Sequence, residues 1–204
     1  MIPPGSISTV IENSVATITF SHPASNSFPS ALLQQLTNEL NTLDQNPDVA
    51  IIVLKSEGIT TFCAGASFDE LLSLTTLEEG TKFFSGFANV INAMRNCSKL
   101  IIGRIQGKAV GGGVGLAAAC DYTFATQNSM IKLSEIAVGI GPFVIEPAVS
   151  RKIGKMAFAE MTLNPTEWKS ASWGKENHLF SEVFQSLDEL DIRLNNFTSE
   201  LTSY

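Results

Sequence analysis

The stretch KLIIGRIQGKAVGGGVGLAAACD, residues 99–121, decides the fold. It begins with an apolar run in which Ile101, Ile102 and Ile105 predict a strand, because β-branched residues favour strands. It ends in an alanine-rich run that is typical of a helix. The helix begins with three glycines, residues 111–113, although a glycine inside a helix costs about 1 kcal/mol relative to alanine. Glycines at this position indicate that another group approaches the backbone closely.

The start of this helix is therefore a candidate anion-binding position. Its first N–H groups have no partner within the helix, and they lie at the positive end of the helix dipole. A phosphate group, or a carbonyl oxygen that is becoming an oxyanion, fits such a position. Residues 113–118 also match the G-x-G-x-x-A pattern of dinucleotide-binding proteins, with Glu135 at about the distance of the acid that binds a ribose. Both interpretations remain open on this stretch alone.

A second loop of small residues favours the oxyanion interpretation. Residues 63–67 read CAGAS and follow an apolar strand predicted at residues 49–54, whereas the glycine run follows the strand at residues 100–105. In a parallel sheet the two loops would lie at the same edge. Each could then direct one backbone N–H at the same carbonyl oxygen.

The remainder of the chain alternates strands and helices, which predicts an α/β fold. Alternation or continuous runs of apolar residues predict the strands, and apolar stripes with helical spacing predict the helices. The predicted strands are residues 8–12, 15–20, 49–54, 100–105, 122–125 and 130–133. The predicted helices are residues 30–43 and 76–97, a short helix that ends at Leu74, and two further helices that begin near residues 164–167 and 186–189.

Composition limits the classes of protein to consider. The chain has 204 residues, 44% hydrophobic and 16% charged, with a net charge of −7, which predicts a globular protein and argues against nucleic acid as a partner. Three scattered cysteines and two histidines offer no disulfide framework and no zinc motif. His22 and His178 lie in polar, turn-like segments, which predicts that both are solvated. Residues 1–4 lack the features of a signal peptide, and no apolar run is long enough to cross a bilayer. We therefore expect a cytoplasmic protein that contacts no membrane.

Three segments resemble the signature segments of the crotonase (enoyl-CoA hydratase/isomerase) superfamily. They are residues 62–71, 107–121 and 133–139, and they occur in the order and at the separations found in that family. The similarity extends from about Ser8 to about Phe184. The resemblance implies a spiral core of repeated ββα units over residues 1–185, with residues 186–204 as the start of a C-terminal helical region whose remaining helices are absent.

The resemblance also assigns roles to residues. The backbone N–H groups of Ala66 and Gly112 would hold the thioester oxygen of an acyl-CoA as it becomes an enolate, and Glu135 would be the catalytic acid and base. No metal and no separate cofactor are implied, because coenzyme A is part of the substrate. A homotrimer or a dimer of trimers is implied as the assembly. The positions that line the substrate groove would be Ala24, Ser25, Ser27, Ala64, Ser67, Phe68, Gly111 and Pro142.

The sequence departs from the family pattern at two of these positions. Gly115 stands where hydratases with two acids carry a second glutamate, and Glu146 is the substitute that the sequence suggests. Ser67 replaces the usual aspartate, a change expected to affect loop structure. Enoyl-CoA hydration in fatty-acid or branched-chain acid breakdown is the leading activity. Isomerisation between Δ3 and Δ2 enoyl-CoA with Glu135 as the single base is the alternative. A third hypothesis is a catalytically silent scaffold that binds acyl-CoA.

Overall fold

The computed structural model describes residues 5–204, so the predicted lack of a signal peptide at residues 1–4 lies outside the described residues. The strands are β1 (Ser6–Glu12), β2 (Val15–Ser21), β3 (Ile51–Ser56), β4 (Thr61–Cys63), β5 (Leu100–Ile105), β6 (Lys108–Val110), β7 (Tyr122–Thr126), β8 (Met130–Lys132), β9 (Lys169–Ser170) and β10 (Glu182–Phe184). The helices are α1 (Ser30–Asp44), α2 (Phe68–Ser73), α3 (Leu77–Asn96), α4 (Gly112–Ala119), α5 (Glu146–Leu163), α6 (Ala171–Glu176) and α7 (Leu187–Leu201).

These strands form two sheets. The larger sheet has six strands in the order β1-β2-β3-β5-β7-β10, and the smaller sheet has four in the order β4-β6-β8-β9. Only β1 and β2 pair antiparallel in the larger sheet, and only β8 and β9 do so in the smaller one.

One structural unit recurs along the chain. The pairs β3 and β4, β5 and β6, and β7 and β8 each place their first strand in the larger sheet and their second in the smaller one, and helices follow each pair. Successive units lie side by side, so the chain advances as a spiral of ββα turns. The predicted α/β fold with repeated ββα units is confirmed.

The core lies between the sheets and the helices. Strand β3 is buried along residues 51–54, as expected for a central parallel strand covered on both faces. Helix α4 is buried from Gly113 to Ala119, because its glycines and alanines allow neighbouring backbones to come close. Helix α1 contributes the leucine stripe that the sequence predicted, with Leu32, Leu33, Leu36, Leu40 and Leu43 all buried.

Helix α7 packs on the outer face of the larger sheet. Leu190 and Leu194 join Ile102 and Phe124 in a second, smaller core. Arg104 of β5 binds both carboxylate oxygens of Asp191, at 2.6 and 2.8 Å. The predicted division of the chain at residue 185 falls in the short turn between β10 and α7.

Three local predictions are wrong. Residues 164–167 do not begin a helix: Asn164 ends α5, and its carbonyl accepts the Glu167 amide in a turn. The strand predicted at residues 49–54 is shifted to Ile51–Ser56, where it follows the register of β2. His22, expected to be solvated, is buried, and burial lowers its pKa. No helix within residues 5–204 has the length and hydropathy of a membrane span.

Candidate active site

A cavity of about 190 Å³ opens where β4 and β6 end and α4 begins. Helices α2 and α3 and the segment before α5 close its other sides. Most of its wall is apolar. It is lined by Ala64, Gly65, Ala66, Phe68, Leu71, Phe83, Phe84, Phe87, Val110, Gly111, Gly112, Ser134, Glu135, Val138, Ile140, Gly141, Pro142, Val144 and Ile145.

The two loops of small residues meet in this cavity. They follow β4 and β6, which pair in parallel, so the predicted meeting at one sheet edge takes place in the smaller sheet rather than in the larger one. A Cβ atom on Gly65 would lie 3.4 Å from the Gly112 nitrogen and 3.0 Å from the Val110 oxygen. Only a glycine, here with φ +89°, permits this approach without strain.

Two backbone N–H groups at this junction lack protein acceptors. The neighbours of Ala66 are paired, because the Gly65 carbonyl accepts from Phe28 and the Ser67 amide donates to Phe28. Ala66 itself donates no hydrogen bond to any residue in the described part of the chain. Gly112 is the first residue of α4, so its N–H has no acceptor within the helix. The dipole of α4 adds positive potential at the same place.

The carboxylate of Glu135 lies beside these donors. A Cβ atom on Gly111 would lie 2.8 Å from Glu135 Oε1, so this glycine, with φ +53°, gives the carboxylate its space. Glu135 Oε2 is buried and has no hydrogen-bond partner among the described residues. Burial raises the pKa of Glu135, and the amides of Glu135 and Ser134 oppose the rise only in part. An acid with a raised pKa is suited to proton transfer near neutral pH.

A 3-10 turn fixes the position of Glu135. This turn, Ile136–Val138, follows the glutamate directly, and the Glu135 carbonyl accepts from the amides of Val138 and Ile140. The backbone that follows the reactive group is therefore held in one conformation. Such constraint favours a single orientation of the carboxylate relative to the amide donors.

Apolar side chains close the space beside Gly115. A Cβ atom on Gly115 would lie 2.6 Å from Ile145 Cγ2 and 3.2 Å from Ile91 Cδ1. Gly113 is equally confined, with the Cys63 oxygen 2.3 Å from its Cβ position. Both glycines serve the packing of α4, which leaves no space for a pyrophosphate and weakens the dinucleotide interpretation.

The cavity brings together seven of the residues chosen from the sequence: Ala64, Ala66, Phe68, Gly111, Gly112, Glu135 and Pro142. Ala24, Ser25, Ser27, Ser67 and Glu146 do not line it. Ser25 instead accepts from the Ala64 amide, and Ser67 caps α2 by accepting from Glu70. Glu146 is the first residue of α5, behind Ile145, where its charge favours the helix dipole.

Several lining residues carried no clear signal in the sequence. Phe83, Phe84 and Phe87 form a helical stripe whose spacing indicates burial but not what it faces. Leu71, Val138, Ile140 and Val144 come from irregular or short segments whose neighbours only the tertiary structure reveals. Cys63 is beside the donors, but burial raises the pKa of its thiol to about 12, so it is not a nucleophile at neutral pH.

The fold and the cavity define a class of protein: a spiral α/β protein that presents two backbone amides and one buried carboxylate to a mostly apolar cavity. Residues 10–189 match the sequence profile of the family described as enoyl-CoA hydratase/isomerase. The chain belongs to this family, and its fold is the crotonase fold.

Individual relatives agree with this assignment. The peroxisomal Delta(3,5)-Delta(2,4)-dienoyl-CoA isomerase of Arabidopsis thaliana is 30% identical over 74% of this chain and 58% of its own length. The short-chain-enoyl-CoA hydratase of Clostridium acetobutylicum is 30% identical over 70% of this chain and 55% of its own. The crystal structure of an enoyl-CoA hydratase of Mycobacterium smegmatis superposes with a TM-score of 0.90 at 28% identity, covering 98% of this chain and 77% of that one. The chain thus spans little more than half the length of these curated relatives.

Proposed function

We propose that the protein acts on acyl-CoA thioesters as an enoyl-CoA hydratase, adding water across the double bond of a 2-enoyl-CoA. The observation that carries this proposal is the unpartnered Oε2 atom of Glu135, in the same cavity as the free amides of Ala66 and Gly112. The relatives named as hydratases support it. Coenzyme A is part of the substrate in this reaction, so no separate cofactor takes part.

The chemistry follows from this arrangement. The thioester oxygen accepts hydrogen bonds from the Ala66 and Gly112 amides, which stabilise the negative charge that forms on it. One such donor is worth about 3 kcal/mol of barrier. Glu135 takes a proton from water as the water oxygen bonds to Cβ, and the electron pair of the double bond moves onto the thioester oxygen. Glu135 then returns the proton to Cα as the enolate collapses, so a single carboxylate completes the addition.

A specific observation favours isomerisation between Δ3 and Δ2 enoyl-CoA as a second candidate. Glu135 is the only carboxylate among the residues that line the cavity. The side chains of Ile91 and Ile145 fill the space beside Gly115. A single base suffices to remove a proton from one carbon and return it to another. An apolar wall favours such a transfer, because it excludes competing water.

Turnover of matched 2-enoyl-CoA and 3-enoyl-CoA substrates tests these proposals. Glu135→Gln should reduce the rate by about 10²- to 10⁴-fold, as expected for loss of a general acid and base. Glu146→Gln is the matched control, because that residue is outside the cavity, and it should retain the rate. Turnover of the 3-enoyl substrate alone would favour the isomerase. Binding of CoA thioesters without turnover of either would favour the silent scaffold and contradict both reactions.

The wider setting is part of the proposal. We infer a cytoplasmic protein of fatty-acid or branched-chain acid metabolism that assembles as a homotrimer or hexamer. Three free cysteines support a reducing compartment. Exposed apolar side chains support self-association, among them Leu72, Leu77, Phe143 and Met156, each at least 70% exposed in the single chain. Sedimentation velocity would test the assembly, and a monomer at all concentrations would contradict it.

A further inference from the structure

A second cavity lies at the other end of α4, and the proposed reaction does not use it. Its volume is about 550 Å³, and polar groups predominate in its wall. Helix α4 has eight residues and is therefore about 12 Å long, so one short helix separates the two cavities. The second cavity is lined by Cys120, Asp121, Arg151, Lys152, Lys175, His178, Phe180 and Ser181.

Positive charge predominates in this cavity, which three cations and one carboxylate line. Within residues 5–204, Arg151, Lys152 and Lys175 form no ion pair with any carboxylate, whereas Lys169 and Arg193 each pair with two. The chain has 20 acidic and only 13 basic residues, so a shortage of acids does not explain this. Arg151 and Lys175 are exposed, so water screens part of their mutual repulsion, and an anion in the cavity would be attracted to all three cations.

One of these cations has a structural role. Lys152 Nζ donates to the carbonyls of Cys120 and Asp121 at 2.8 and 2.9 Å, which satisfies the C-terminal end of α4. The Asp121 carboxylate is itself engaged, because it accepts from the Ile101 amide at 2.8 Å. Neither of these contacts involves Arg151. Burial lowers the pKa of Lys152, and the charge of nearby Arg151 lowers it further.

The backbone at His178 brings a further donor to the same cavity. His178 follows the end of α6 with φ +65°, a left-handed conformation usually occupied by glycine at this position. Histidine is one of the non-glycine residues that adopt this conformation more often than most, and here it lines the cavity. Lys175 is one helical turn earlier, and its ammonium donates to the Ser181 carbonyl at 3.3 Å.

We propose that this cavity binds a phosphate dianion, either inorganic phosphate or the phosphate of a monoester. Three cations less the carboxylate of Asp121 leave two positive charges, which match the charge of the dianion. The guanidinium of Arg151 can bind two phosphate oxygens in one plane, and the Lys175 ammonium can bind a third. The cavity has room for a group attached to the phosphate. This inference is independent of the reaction proposed above.

Isothermal titration of the full chain with inorganic phosphate, at constant ionic strength, tests the proposal. Arg151→Gln and Lys175→Gln should each weaken phosphate binding by about tenfold, the loss expected for one charge-assisted hydrogen bond. Lys155→Gln is the matched control, because Lys155 is exposed on the same helix and does not line the cavity. The Lys155→Gln variant should bind inorganic phosphate with the same affinity as the unaltered protein. Thermal melts verify that each variant is folded.

A second titration distinguishes the two sources of the phosphate. Glycerol 3-phosphate that binds more tightly than inorganic phosphate would assign the site to a phosphate monoester. Equal or weaker binding would assign it to free phosphate. The proposal is overturned if neither probe binds saturably, if Arg151→Gln and Lys175→Gln bind phosphate like the unaltered protein, or if Lys155→Gln weakens binding as much as they do.

Discussion

Five strands of the larger sheet have five to seven residues, whereas the strands of the smaller sheet have two or three. Long strands bury β-branched side chains and pair over many residues, so the larger sheet supplies stability. The smaller sheet has little pairing of its own. It nevertheless positions both amide donors, because each of its first two strands ends in a loop of small residues. In this protein the sheet with the most extensive pairing and the sheet that holds the candidate site are therefore different.

Removing one amide donor of the smaller sheet should have the largest effect. Gly112→Pro removes the N–H at the first position of α4, where a helix tolerates proline. We expect kcat/KM to fall by about 10²- to 10³-fold, the loss observed for one oxyanion-hole donor. Steady-state kinetics with the preferred enoyl-CoA provide the measurement.

Gly112→Ala is the control for this substitution. Its Cβ atom would lie 2.4 Å from Phe87 Cζ, so it has the same steric conflict as proline at this atom but retains the N–H. The difference between the two variants reports the loss of the N–H together with the proline Cδ atom that takes its place. Equal losses of kcat/KM in both would mean that packing against Phe87, and not the donor, determines the rate.

Truncating a side chain in the larger sheet should instead lower stability and leave the catalytic rate nearly unchanged. Ile52 of β3 is completely buried, so Ile52→Ala should lower the free energy of unfolding by about 3 kcal/mol through loss of contacts and creation of a cavity. Values of kcat/KM should change less than twofold while the protein stays folded. Chemical denaturation and kinetics on one sample measure both. A parallel loss of activity would show that the two sheets are not separable.

The acidity of Glu135 should link function and stability. Because proton abstraction needs the ionised form, kcat/KM should fall tenfold per pH unit below the pKa of Glu135, with a midpoint above the ordinary value of 4.5.

A raised pKa in the folded state also means that ionisation destabilises the fold. This cost is absent below the pKa of the unfolded chain and complete above the pKa of the folded one.

Thermal melts at several pH values measure this cost directly. Glu135→Gln removes the ionisable group, so its melting temperature should be higher than that of the unaltered protein at neutral pH. The increase in melting temperature should be smaller at low pH. A difference in melting temperature that stays constant with pH would mean that the carboxyl is not destabilised by burial.

Breaking the ion pair between α7 and the larger sheet should have the smallest effect, a modest loss in the free energy of unfolding. Asp191→Asn breaks the paired hydrogen bonds with Arg104, whose side chain is 13% exposed against 43% for Asp191. We expect a loss of about 1 kcal/mol in the free energy of unfolding, because one partner remains solvated. Leu190→Ala, in the same helix but fully buried, should cost more. A larger effect at Asp191 would show that the ion pair, and not apolar contact, holds α7.

The sequence by itself determined the features that depend on local chemistry. Continuous apolar runs gave β3 and β5, although β3 lies two residues later than predicted. The leucine stripe gave α1, and the glycine run gave the start of α4. The choice of Ala66, Gly112 and Glu135 as a group also came from the sequence, because their segments resemble those of one family. Their roles in catalysis remain predictions.

Only the tertiary structure decided which residues meet. Strands β4 and β6, of three residues each, have too little periodicity to be predicted from the sequence, although β8 of the same length was predicted. The pairing of these strands depends on long-range contacts. The same holds for Gly115, whose side-chain space is taken by Ile145 thirty residues later, and for the cations gathered by α5 and α6. Local patterns encode burial and backbone conformation, whereas the neighbours of a buried group are set by how distant segments pack.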